Sequence, residues 1–100
     1  MHIHNVYFWL QDGLDSRVLK AFEQGLQSLT EDPAVRGGHF GKPASTRRDV
    51  VDSSYGYGLV LIFDDLPAHN AYQEGAAHRK FVADHASRWT KVVVYDMQSE

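Results

Sequence analysis

Apolar and polar side chains alternate along HIHNVYFWL, residues 2–10. A period of two, with aromatic and β-branched residues, predicts a strand. His4, Val6, Phe8 and Leu10 share one face; Ile3, Asn5, Tyr7 and Trp9 share the other. After the turn residues QDGLDS the period changes. Leu19, Phe22, Leu26 and Leu29 recur at helical spacing, which predicts an amphipathic helix from a cap at Asp15 or Ser16 to Thr30. Pro33 ends it, because proline cannot continue a helix and disfavours helical backbone at Asp32. VRGGHFGKP, residues 35–43, reads as a weaker strand whose glycines suggest bends. A polar stretch, ASTRRDVVDSS, follows as a loop. YGYGLVLIFDD, residues 55–65, is the clearest strand. Asp65 then caps a helix with Pro67 in its first turn. Gly75 is predicted to interrupt that helix, and a second piece runs to about Arg88 with His78, Phe81, Val82 and His85 on one face. KVVVYDM, residues 91–97, is the last strand.

The order β-α-β-β-α-β, with short connections and right-handed crossovers, predicts an α+β fold. It is the ferredoxin-like arrangement, a four-stranded antiparallel sheet with the helices on one face. Helices can cover only one face, yet three of the strands are apolar on both. Such an exposed face exceeds what a monomer usually shows. The expected remedy is a second copy of the chain packed against the face bearing Tyr7 and Trp9, giving a homodimer.

One hundred residues make a single domain, 1–100, and 43% hydrophobic content suffices for a modest core. The net charge of −3 is scattered, with no basic patch for nucleic acid. No run is apolar enough to span a membrane, and MHIHNVYFWLQDG is not a signal peptide, so a soluble, cytoplasmic protein is expected. With no cysteine there is no disulfide, thiolate metal site or thiol nucleophile. Six histidines make the charge sensitive to pH.

Candidate chemistry concentrates in AYQEGAAHRKF, residues 71–81. A bend at Gly75 would bring Tyr72 and His78 into one pocket. His78, near a helix start, is favoured as the neutral ring that a general base needs. Tyr72 could hydrogen-bond an oxygen that gains negative charge. His4 lies on the helix-facing side of the first strand and needs a polar partner there, with Tyr72 or His78 in reach. Core placement, with polar tips satisfied by backbone or water, is the competing reading for His78 and Tyr72; for His4 it is a place near the strand end that reaches solvent. Val6, Phe8, Phe22, Phe81 and Trp89 are core residues and, where a pocket exists, its apolar walls. No metal is expected: His78 and His85 are two turns apart, His39 and His69 read as surface residues, and H-E-x-x-H is absent.

The strand opening HNVYFWL, the DPAV helix exit, YGYGLVLIFDD, AYQEGAAHRKF and VVVYDM resemble, in order and spacing, the stress-responsive A/B barrel (Dabb) family. The resemblance covers nearly the whole chain and implies a dimeric α+β barrel. The family's Y-x-x-H-P-x-H-x-x-F pattern is matched at Tyr72, His78 and Phe81, with Gly75 and Ala76 in place of its first His and Pro. In a plant polyketide-cyclising member, the equivalents of Tyr72 and His78 are the acting pair, and the equivalent of His4 lies in the same pocket. The resemblance thus implies cofactor-free acid/base ring closure of a polyketide-like or aromatic carbonyl compound. A protein that binds a small apolar or aromatic ligand without turnover, and a stress-associated dimer with no pocket chemistry, are the alternatives.

Overall fold

The computed structural model describes residues 1–99. Four strands form one sheet: β1 (His2–Leu10), β2 (Gly37–Gly41), β3 (Tyr57–Phe63) and β4 (Trp89–Gln98). Three helices accompany them: α1 (Ser16–Thr30), α2 (Leu66–Glu74) and α3 (Ala76–His85), with a short 3-10 turn at Ala86–Arg88. The strand order is β2-β3-β1-β4 and every pairing is antiparallel, the ferredoxin-like topology expected from the pattern. Asp15 caps α1 by accepting from the Val18 N–H at 3.0 Å, and Asp65 caps α2 by accepting from Ala68 N–H at 2.9 Å.

Alternation decides which side is the core. Along β1, His2, His4, Val6 and Phe8 are buried; along β3, Tyr57, Leu59, Leu61 and Phe63 are. Phe22, Leu26 and Leu29 of α1 and Tyr72 and Phe81 of the other helices close over them. Gly25 lets α1 and α3 approach closely: a Cβ there would lie 2.7 Å from His85 Nε2 and 3.0 Å from Phe81 Cδ1.

Among the described residues, no helix covers the opposite face. Ile3, Tyr7, Trp9, Val60 and Ile62 are half-buried there, and Tyr95 and Met97 of β4 are 63% and 55% exposed. The loop between β2 and β3 returns to the edge of this face. Tyr55 packs against Tyr7 and Trp9, with ring centroids 5.0 and 6.4 Å apart, and the Trp9 indole donates to Ser54 Oγ at 3.1 Å. No helix among the described residues is long and apolar enough to cross a membrane.

Candidate functional site: a cavity between sheet and helices

The helix breaks at Gly75, which ends α2 and begins α3. Its backbone is at φ −77°, ψ 163°, an extended conformation open to any residue, so the break does not require glycine. The interruption falls at the expected residue, since glycine is a poor helix-interior residue, although the backbone it adopts is not one reserved for glycine. The family's usual residue at this position could adopt the same backbone. The break turns both polar side chains inward. The Tyr72 and His78 rings lie edge to face with centroids 5.2 Å apart.

Both line a cavity of about 240 Å³ between the sheet and the α2–α3 pair. His4, Val6, Phe8, Leu29, Leu59, Gln73, Phe81 and Trp89 complete its walls. Val82, Val92 and Val94, each more than a third exposed, lie at its rim. Phe22 does not reach it. That residue is 1% exposed and stands behind the walls, edge-on to Phe8 at 5.3 Å and tilted against Phe81 at 5.6 Å. Its expected place in the lining is corrected: α1 contributes Leu29 to the cavity, while Phe22 packs against Phe8 and Phe81 from outside the lining. Two larger concavities of about 370 Å³ are open surface grooves, one beside Asp15, Asp84 and Arg88, the other on the helix-free face around Tyr7 and Tyr55.

Burial sets the protonation of the pair. It pushes the Tyr72 phenol well above its ordinary range, reinforced by the charge of Asp32, so the hydroxyl is a neutral donor. Burial also lowers His78, only partly offset by a hydrogen bond to the Gln73 backbone, with His69 lowering it further. At neutral pH the imidazole carries a free lone pair.

His4 is differently placed. Asp96 Oδ1 lies 2.6 Å from its Nδ1 and 3.2 Å from Nε2 of His2. A carboxylate only accepts, so both imidazoles donate to it. The Gln73 amide nitrogen is 3.4 Å from His4 Nε2 and 3.4 Å from His69 Nε2. Both nitrogens of His4 are therefore engaged, and it offers the cavity its ring rather than a free base. Burial lowers its pKa, against the opposing hydrogen bond and charge of Asp96. For Asp96, burial acts upward, but the bonds and charges of His4 and His2 outweigh it and hold the carboxyl low.

His69 overturns its reading as a surface residue: it is 8% exposed, with ring centroids 4.3 Å from His2 and 4.9 Å from His4. It stands three residues before Tyr72, so both occupy the inner face of α2, a spacing visible in the sequence. His39 is exposed, as expected. Asp96 had no local signal. It faces His4 through the β1–β4 register, which pairs residues 92 positions apart.

A family model for the Stress responsive A/B Barrel Domain, Dabb, matches residues 3–99. The chain belongs to the Dabb family. No curated protein matches it significantly. Among solved structures, this Dabb chain is similar to a protein of Arabidopsis thaliana, with a TM-score of 0.83 and 20% identity over 100% of this chain and 96% of that one. It is also similar to a dimeric ferredoxin-like protein of unknown function from Thermobifida fusca, with a TM-score of 0.79 and 19% identity over 98% and 90% of the chains. A hydroxynitrile lyase from Passiflora edulis superposes with a TM-score of 0.77 at 12% identity, over 96% and 90%. At these identities the likenesses establish the fold.

Proposed function

We propose that this Dabb protein binds a one-ring aromatic or short polyketide-like carbonyl compound in the cavity and moves a proton on it without a cofactor. The observation that carries the reading is the placing of a neutral imidazole, His78, and a neutral phenol, Tyr72, in one apolar cavity with their rings 5.2 Å apart. His78 takes a proton from carbon next to the carbonyl, and Tyr72 donates a hydrogen bond to the oxygen that becomes an enolate. His4, held by Asp96 and Gln73, shapes the wall.

Size narrows the ligand. An apolar cavity of about 150 Å³ accepts benzene, whereas drug-sized ligands occupy roughly 300–1,000 Å³. A volume of about 240 Å³ therefore suits one substituted ring. Apolar walls with two polar tips suit such a compound better than a sugar or nucleotide. The neighbouring hydroxynitrile lyase is an enzyme on the same fold, which supports a catalytic use of the scaffold without naming this substrate.

The reading includes a two-fold homodimer through the helix-free face, supported by its exposed Tyr95 and Met97 and by the dimeric Thermobifida fusca neighbour. Tyr95→Asp is the better probe than a change at Trp9, because Trp9 also holds the loop at Ser54. Sedimentation should show a wild-type dimer and a Tyr95→Asp monomer; a folded wild-type monomer would refute the assembly.

Substituted phenols and β-diketones should raise the melting temperature. Bound ketones should exchange their α-hydrogens in heavy water, read by NMR. Stabilisation without exchange would support the alternative of a binding protein without turnover. Failure of every such compound to bind would remove the reading.

A further inference from the structure

At the end of the sheet next to the cavity, three elements converge on one point. β1 supplies His2 and His4, α2 supplies His69, and β4 supplies Asp96. One ligand atom from each can be chosen so that all four lie within 4.8 Å of one another. The three imidazoles are 4%, 4% and 8% exposed, whereas the Asp96 side chain is 40% exposed, so the group opens to solvent on the carboxylate side.

Hydrogen bonds account for most of these polar atoms. His2 is the exception: its Nδ1 is buried and has no hydrogen-bond partner among the described residues. A histidine buried for packing alone normally has both nitrogens satisfied. The His69 ring is held from outside: its Nδ1 lies 3.1 Å from Asn70 Oδ1, leaving Nε2 facing inward toward Gln73. That is how metal-ligating histidines are oriented by their outer partners.

We propose that His2, His4, His69 and Asp96 form a binding site for a divalent transition metal of the zinc class. Three imidazole nitrogens and one carboxylate oxygen suit zinc, cobalt(II) or nickel(II), and suit calcium or magnesium poorly, since those prefer all-oxygen sets. A tetrahedral ion with bonds of about 2.0–2.1 Å needs the donors somewhat closer together than they stand. Side-chain rotation at His69 and Asp96, on separate elements from His2 and His4, supplies that closure. The ion takes the place of the protons now shared between Asp96 and the two β1 histidines. Neither Tyr72 nor His78 is a ligand, so the site stands apart from the acid/base reading of the cavity.

The test uses untagged full-length protein stripped with chelator. Zinc should bind at one ion per chain by calorimetry and raise the melting temperature. Cobalt(II) should develop the visible absorption bands of a nitrogen-rich tetrahedral site. Asp96→Asn and His69→Gln should each weaken zinc by more than the roughly 10–100-fold that loss of an outer-shell partner costs. Asn70→Ala should fall within that 10–100-fold range, and His39→Ala should change nothing. Circular dichroism confirms folding of each variant; Asp96, at the edge strand and part-exposed, is the one least exposed to folding effects. Absence of zinc binding by the wild type would overturn the site. So would zinc binding undiminished in both Asp96→Asn and His69→Gln. Ring-compound binding in wild type without zinc binding would sink this site and leave the cavity reading intact; the reverse result would do the opposite.

Discussion

At His78 the protein keeps one imidazole beside apolar walls and a phenol; at His2, His4 and His69 it keeps three beside a carboxylate and an amide. Both groups are taken out of water, and both sit on the same side of the same sheet. The difference is in what the lone pairs meet. Burial penalises the charge of His78, and the partner that its ring is given is the Gln73 backbone rather than a charged group. The His4 nitrogens are claimed by Asp96 and Gln73, which fixes the ring and removes it as a base. One residue type can therefore be given two different polar settings on one face of the sheet. The neighbours, not the histidines, assign the task.

Removing the proposed base should separate the two regions most strongly. Positioned proton transfer contributes roughly 10²–10⁴ in rate, so His78→Ala should lower α-hydrogen exchange of a bound ketone by about that factor. Zinc affinity should stay at the wild-type value. Tyr72→Phe should lower exchange while costing little stability, because it keeps the ring. Equal loss of both properties in His78→Ala would break the separation.

The cavity wall can be moved without touching the cluster. Gly25→Ala places a methyl group 2.7 Å from His85 Nε2 and 3.0 Å from Phe81 Cδ1. Overpacking of this kind costs typically about 1–3 kcal/mol. Denaturant unfolding should show that loss, with weaker ring-compound binding as α3 and Phe81 shift. An unchanged stability would mean that α1 and α3 are looser than their packing indicates.

Acid should weaken the metal-free protein through the histidines outside the cluster. His78 is lowered by burial and by His69, against its bond to the Gln73 backbone; His85 is lowered by burial, Arg88 and Lys80, against Asp84. A lowered histidine binds fewer protons folded than unfolded. Stability therefore rises with pH from the folded-state values up to about 6.5 and is lost as pH falls through that window. Unfolding midpoints between pH 5 and 7 check the sign. In His78→Gln the slope should shrink; a slope that steepens would contradict the burial of this ring.

The smallest effect is expected at Gly75. An added Cβ would lie 3.2 Å from the Ala71 carbonyl oxygen and 3.3 Å from that of Tyr72, and the backbone there suits any residue. Gly75→Ala should change stability by less than about 1 kcal/mol and keep the NMR contact between the Tyr72 and His78 rings. Loss of that contact would mean that glycine does hold the bend.

Much of this was legible along the chain. Period-two alternation placed His4, Val6 and Phe8 on the buried face of β1, and the two inward-facing leucines of β3 opposite them, because strand geometry leaves no other choice once one face is covered. The helix break between Tyr72 and His78 followed from the same local reasoning and falls at Gly75. Chain order and short connections then permitted essentially one sheet topology. What local pattern could not supply was distance between residues far apart in sequence. Asp96 meets His4 only because β4 pairs with β1 in one register, and a slip of one residue would turn it to the other face. Phe22 carries the same apolar signal as Phe8 and Phe81, yet only the docking of α1 decides that it stands behind the cavity wall. His69 reads as polar and therefore exposed until α2 lies down on the sheet and burial becomes affordable among like rings, an amide and a carboxylate. Side-chain pattern determines which face of an element is buried; the register and docking of elements, set by the summed packing of the whole core, determine what each buried polar group finds there.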